Sequence, residues 1–238
     1  MSNGIAGNPI AKKDVPQTQG TKVVQAGTKQ AWALAADAML TKKNGMRHDL
    51  LGSAIGTKSD KLKVKDILSA GWNINNRSDL LKVLAQLEEH GQREEFLTIK
   101  SHIQALTMVQ YRAELAELKL KDSKAAEQWK FVQEFRVPLE KKSLIAFDFV
   151  RVIHLARWGY LVGYLSEDEA WSHIFKSAKI LQDTYSSWSA IGQNYIFGRR
   201  FWSGDVGLDG ESVQIWQDLI SDGTSPWNVN QWNLDLDH

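Results

Sequence analysis

The sequence predicts an all-α fold: a single globular domain of about eight helices packed around a buried central helix, preceded by a flexible N-terminal arm. Three observations point there. Apolar residues recur at helical spacing through most of the 238-residue chain. Capping residues and glycines punctuate those runs. Only four prolines occur, as expected where long helices dominate, because proline breaks helix interiors. Alternating runs of the strand type are nearly absent, and no repeat of solenoid period appears.

Each element follows from its own signals. Residues 1–26 are small and polar, with Gly4, Gly7, Pro9 and Pro16, and read as the arm. Thr28 caps a helix that runs through Lys43 and ends on Asn44-Gly45. Met46 to Lys58 is a loop carrying Arg47-His48-Asp49, and a short helix follows from about Ser59 to Ala70, closed by Gly71. Trp72 to Asn76 turns the chain; Ser78 then caps a helix through His90, and Gly91 stops it. From Arg93 one long helical pattern reaches Lys121. Ser123 caps the next, to about Phe135, and Pro138 marks a boundary. The central helix is read over 139–164. Ser166-Glu167-Asp168-Glu169 spells a capping box, in which serine and glutamate exchange bonds with each other's backbone. That helix runs to about Asp183. Two more span Ser187 to about Phe201 and Glu211 to Ser221. The domain therefore covers 27–222, and 223–238 is a tryptophan-bearing C-terminal tail.

Composition narrows the function classes. Hydrophobic residues at 43% and charged residues at 24% are ordinary for a globular protein and argue against wholesale disorder. A net charge of +1 supplies no field that would draw the whole protein to nucleic acid or an anionic membrane. The absence of cysteine removes disulfides, thiolate zinc sites and cysteine nucleophiles. The most apolar stretch, Leu144 to Leu165, contains Asp148, Arg151, His154 and Arg157. Four ionisable groups make a membrane span costly there, so a buried central helix is the better reading. No signal peptide is visible, which places the chain in the cytoplasm by default and leaves open secretion without a cleaved signal. No HExxH pair, Walker loop or GxSxG elbow occurs, so neither a metal nor a cofactor is expected.

Three constellations could carry chemistry. In Arg47-His48-Asp49 the histidine beside a carboxylate could serve as a general base and the arginine could bind an anion; alternatively these groups tie down a loop. Asp148, Arg151, His154 and Arg157 are spaced by three on the central helix, so neighbours can touch. They form either internal ion pairs, Asp148 with Arg151 among them, or a polar pocket for an anion. Arg157 and Trp158, mid-helix, should be buried, with Asp148 or Glu169 as the charge partner of Arg157. Gly198-Arg199-Arg200-Phe201-Trp202-Ser203-Gly204 joins arginines to aromatics, which suits stacking on a phosphate-bearing ligand or a helix end complementing its own dipole.

Four blocks resemble a bacterial family known as domain of unknown function 1266. They are Asn44 to Gly52; Gly71-Trp72-Asn73-Ile74 with Arg77 to Leu81; Leu155 to Trp171; and Tyr185 to Gly204. The last two are specific, because aromatic, arginine and glycine positions recur in order over fifty residues. The resemblance implies a fold, a bacterial origin and signature residues, with residues 1–26 and those past 205 outside it.

Two functions from different classes are expected. The first is an interaction module with a protein partner, in a stress or toxin–antitoxin-like context, since tryptophan-rich surfaces serve recognition. The second is an enzyme or ligand-binding protein for an anionic small molecule. In that reading His48, Asp49 and Asp148 are the catalytic candidates, and Arg47, Arg151, Arg157, Trp158, Arg199 and Trp202 the binding candidates. They would have to converge on one pocket.

Overall fold

Between Ala146 and Val162 the only acidic or basic residues are Asp148, Arg151, His154 and Arg157, too few to give the helix a solvated face, so it must be enclosed. In the computed structural model every residue from Ala146 to Val162 is buried. The structure describes residues 22–204 and 209–236; most of the arm read from the sequence, residues 1–21, lies outside them.

In chain order the helices are α1 (Lys29–Ala35), α2 (Ala38–Lys43), α3 (Lys58–Trp72), α4 (Arg77–Glu89), α5 (Gly91–Ala105), α6 (Met108–Lys121), α7 (Ser123–Phe135), α8 (Ile145–Val162), α9 (Glu167–Thr184), α10 (Trp188–Ser203), α11 (Asp209–Ser221) and the single turn α12 (Pro226–Val229). Helices α9, α10 and α4 make the broadest contacts with α8, and α3, α5 and α2 complete its enclosure. Helices α6 and α7 form an outlying pair, with α7 reaching back to α5 and α10. Among the described residues the only pairing of the β type is one antiparallel bridge between Val23 and Leu50. No described helix is long and apolar enough to cross a membrane.

The all-α expectation holds, and the helices outnumber the roughly eight expected, chiefly because two long patterns are broken and the segment read as a tail adds α12. The run expected from Thr28 to Lys43 divides at Ala36-Asp37, where the Asp37 side chain turns inward to Thr41, His154 and Arg157. The run expected from Arg93 to Lys121 divides at Leu106, whose backbone is extended, and Thr107 restarts it with a capping box to Gln110. The central helix is shorter at its start than 139–164. Residues 136–144 are turns, Ser143 has φ +43°, and the first turn of α8 is closed from outside. The Ala146 amide donates to the Tyr185 hydroxyl and to Asn194 Oδ1, at 3.1 and 3.0 Å.

Two caps shift by one or two residues, since Asn76 and Asp122, not Ser78 and Ser123, accept the first amides of α4 and α7; other local readings survive. Thr28, Ser166 and Ser187 cap α1, α9 and α10, and the Ser166–Glu169 box is complete. Gly198 owes its identity to packing: a Cβ there would overlap Phe147, so α10 crosses α8 at a distance only glycine permits. Residues 22–26, expected in the arm, run extended beside the loop after α2; the Val24 amide donates to the Asp49 carbonyl at 2.7 Å. The segment read as a tail packs into the core, with Trp227 only 4% exposed.

Candidate functional site

An arginine sealed in an apolar helix must spend its donors or carry a large desolvation cost. Arg157, fully buried on α8, spends all of its nitrogens. Nη1 donates to Asp37 Oδ2 at 2.9 Å and to the Thr41 hydroxyl at 2.7 Å. Nη2 donates to the carbonyls of Arg47 and Leu50 at 2.9 Å and more weakly to that of His48; Nε donates to that of Leu51. Burial pulls the guanidinium below its ordinary pKa, and the charge of Asp37 opposes the shift. His154 completes the cluster. Its Nδ1 is 2.9 Å from Asp37 Oδ2, and its Nε2 lies 3.3 Å from Asn44 Nδ2. Trp158 lies over His154 with ring centroids 4.1 Å apart and directs its indole N–H at Met46 Sδ. The charge partner of Arg157 is thus Asp37, not Asp148 or Glu169; Glu169 is held by Arg77.

The cluster fixes the loop that presents Arg47, His48 and Asp49. These three line a cleft of about 420 Å³ together with Val24, Ala31, Met46, Pro226, Val229 and Asn230. The guanidinium of Arg47 and the carboxylate of Asp49 form a two-pronged ion pair at its rim. The His48 ring has no hydrogen bond among the described residues, and its Nδ1 is sealed from solvent. Burial first, and the nearby charge of Arg157 second, push its pKa down from 6.5 to about 4. The imidazole is therefore neutral at pH 7. It can donate or accept one hydrogen bond, but it is too weak a base for general-base catalysis near neutrality.

That shift has a consequence for stability. Between pH 6.5 and 4 the unfolded chain protonates His48 while the folded chain resists, so stability falls as pH drops through this window and the His48 penalty reaches its full size below about 4. The expected loss is on the order of 1–3 kcal/mol. His48→Gln should flatten the difference between thermal melts at pH 7 and pH 4.5; an unchanged difference would remove His48 as its source.

Asp148 and Arg151 lie elsewhere on α8. Asp148 is fully buried and serves the start of α5: it accepts from the amides of Gln92 and Arg93 at 2.8 and 3.0 Å and from Arg93 Nη1 at 3.0 Å. Arg151 Nη2 donates to the same carboxylate at 2.6 Å, and its guanidinium lies 3.9 Å from the centroid of Phe147. Arg151 and Trp202 line a second cavity with Trp72 and Gln92. Arg199 is half-buried beside Tyr195, whose hydroxyl burial pushes up to about 12 against the pull of the Arg199 charge.

The structure therefore does not bring the candidates to one pocket: all but Arg199, which lines neither cavity, fall into two groups. Arg47, His48 and Asp49 share one cleft, with Arg157 and Trp158 beneath its loop; Arg151 and Trp202 share another, with Asp148 beneath it. Asp37, Asn44, Gln92 and Trp72 were not among the candidates. Asp37 carried a signal, as a lone carboxylate inside the apolar run Trp32 to Leu40. Trp72 carried one only as part of the Gly71-Trp72-Asn73-Ile74 block, and Gln92 carried none, because what distinguishes it is a shared cavity. Among the described residues no three His, Asp or Glu side chains cluster as a metal site would require.

Comparison with known proteins places this architecture. The chain is 29% identical over 136 residues to the uncharacterized protein YbeR of Escherichia coli K12, covering 57% of this chain and 56% of that one. It is 27% identical over 154 residues to the uncharacterized protein YbeU of the same organism, covering 62% and 61%. The matches thus span less than two thirds of either relative. No solved structure matches. A family model described as protein of unknown function (DUF1266) matches residues 67–232. That span omits the Asn44 to Gly52 block and takes in the C-terminal segment, which had been expected to fall outside; Trp227 belongs to the core, which explains its inclusion. Matched over more than two thirds of its length, the chain belongs to the DUF1266 family.

Proposed function

We propose that the protein is an interaction module, and that an apolar segment of a protein partner docks in the cleft beside Arg47, His48 and Asp49. One observation carries this reading: the cleft is walled by Val24, Ala31, Met46, Pro226 and Val229 around a neutral imidazole that lacks a partner among the described residues. Apolar walls with a few placed polar groups are the ordinary make-up of a binding site. The charges nearby are spent. Arg47 is locked to Asp49, and Arg157 is committed to the loop carbonyls and Asp37. An anion would find no free cation here, whereas an apolar segment would bury its side chains and could offer a backbone group to the His48 ring.

The test uses positions that the fold tolerates. Val229 is 44% exposed, and Ala26 also faces the cleft. A photo-crosslinker at Val229 should yield a discrete protein adduct in native cells, while the same probe at Val109, exposed on α6 away from the cleft, should not. Ala26→Trp should abolish the adduct and leave the melting temperature unchanged. Equal labelling from both positions, or an adduct insensitive to Ala26→Trp, would refute the proposal.

A further inference from the structure

The second cavity differs from the first in kind. Its volume is about 370 Å³, the scale of a metabolite site. Arg151, 92% buried by its 8% exposure, has five N–H groups. Nε donates to the Phe147 carbonyl and Nη2 to Asp148, while Nη1 has no acceptor among the described residues. Arg93 and Arg151 share the single carboxylate of Asp148, so one positive charge is left in excess. No carboxylate is among the residues lining the cavity.

Beside this charge is an acceptor without a donor. Gln92 Oε1 is buried and unpartnered among the described residues. The backbone of Gln92 is held beside Arg151, because its main-chain N–H and Arg151 Nη2 bond the same oxygen, Asp148 Oδ1, and Gln92 lines the cavity. A buried unsatisfied acceptor is costly, and a ligand donor relieves that cost. The third feature is aromatic. Trp72 and Trp202 both line the space, and the Arg151 guanidinium is 5.9 Å from the Trp72 centroid.

We propose that this cavity binds a small planar anion bearing a hydrogen-bond donor, the chemistry of hydroxy- or amino-substituted aromatic carboxylates. The carboxylate meets Arg151, the ring lies against Trp72 or Trp202, and the hydroxyl or amine donates to Gln92 Oε1. The site is independent of the protein-docking cleft, and neither proposal stands or falls with the other.

The experiment titrates the full chain with 4-hydroxybenzoate, 4-hydroxybenzamide, benzoate and inorganic phosphate, following tryptophan fluorescence and indole NMR signals. 4-Hydroxybenzoate should saturate a single site. The neutral amide should bind at least about tenfold more weakly for lack of charge, and benzoate several-fold more weakly for lack of the donor. Trp202→Ala, at a position 44% exposed, should leave the fold intact and weaken 4-hydroxybenzoate by roughly tenfold. Gln92→Leu should erase the preference over benzoate. The proposal is overturned if none of the aromatic probes saturates by about 10 mM, if phosphate binds as tightly as 4-hydroxybenzoate, or if both variants leave binding unchanged.

Discussion

Arg157→Ala is expected to destabilise the protein by about 3–5 kcal/mol, because it strands the fully buried Asp37 carboxylate without its cation. For a chain of this size that corresponds to a melting temperature lower by roughly 6–20 °C. Arg157→Lys should recover only part of the loss. An ammonium offers three donors from one point, whereas the guanidinium reaches Asp37, Thr41 and several carbonyls of residues 47–51 from a planar fork. The damage should also be local: amide exchange should accelerate first in residues 46–52, the loop those carbonyls belong to. A variant that melts within about 2 °C of the parent, with that loop still protected, would mean that Arg157 is not the clamp described here.

What made Arg157 conspicuous in the sequence was its setting, a charge inside an unbroken apolar run, and that much was legible: such a group must be paired or line a cavity. Its partner was not legible, because Asp37 lies 120 residues away and pairing at that distance leaves no local pattern. The same limit explains the helix boundaries. Thr28, Ser166 and Ser187 act within three residues of themselves, so their caps could be read directly. The break at Asp37 and the late start of α8 come from tertiary bonds, from His154 and Arg157 in one case and from Tyr185 and Asn194 in the other. A helical period continues through both places and conceals them.

The candidate site divides in the same way. That Arg47-His48-Asp49 sits on a loop followed from the Asn44-Gly45 stop; Gly45 takes φ +62° as such a stop requires. That His48 would be neutral did not follow, because its low pKa arises from burial and from Arg157, which is distant in sequence. Asp148, read as a partner for Arg151, proved to be that and also the acceptor for the first amides of α5. No spacing in the sequence connects Asp148 to Gln92.

Removing residues 223–238 should abolish cooperative folding, although the sequence presents them as a tail. Three indole N–H groups bind the segment to the body: Trp32 to the Trp232 carbonyl at 3.0 Å, Trp188 to the Asn230 carbonyl at 2.9 Å, and Trp227 to the Ala35 carbonyl at 2.9 Å. The rings pack on one another, with Trp32 4.4 Å from Trp188 and 5.2 Å from Trp232 between centroids. Trp227→Ala alone should cost about 3–5 kcal/mol, the usual loss for a buried large aromatic. Truncation adds two stranded indole donors, at about 1–3 kcal/mol each, and exposes Trp32, which is otherwise wholly buried. The sum reaches or exceeds the lower end of a domain's total stability, about 5 kcal/mol. A chain ending at Asp222 should therefore keep helical far-ultraviolet dichroism, lose the aromatic near-ultraviolet signal and melt without a sharp transition. A cooperative melt with the aromatic signal intact would instead mean that Trp32 and Trp188 find other cover, and that the C-terminal segment rests on the core without completing it.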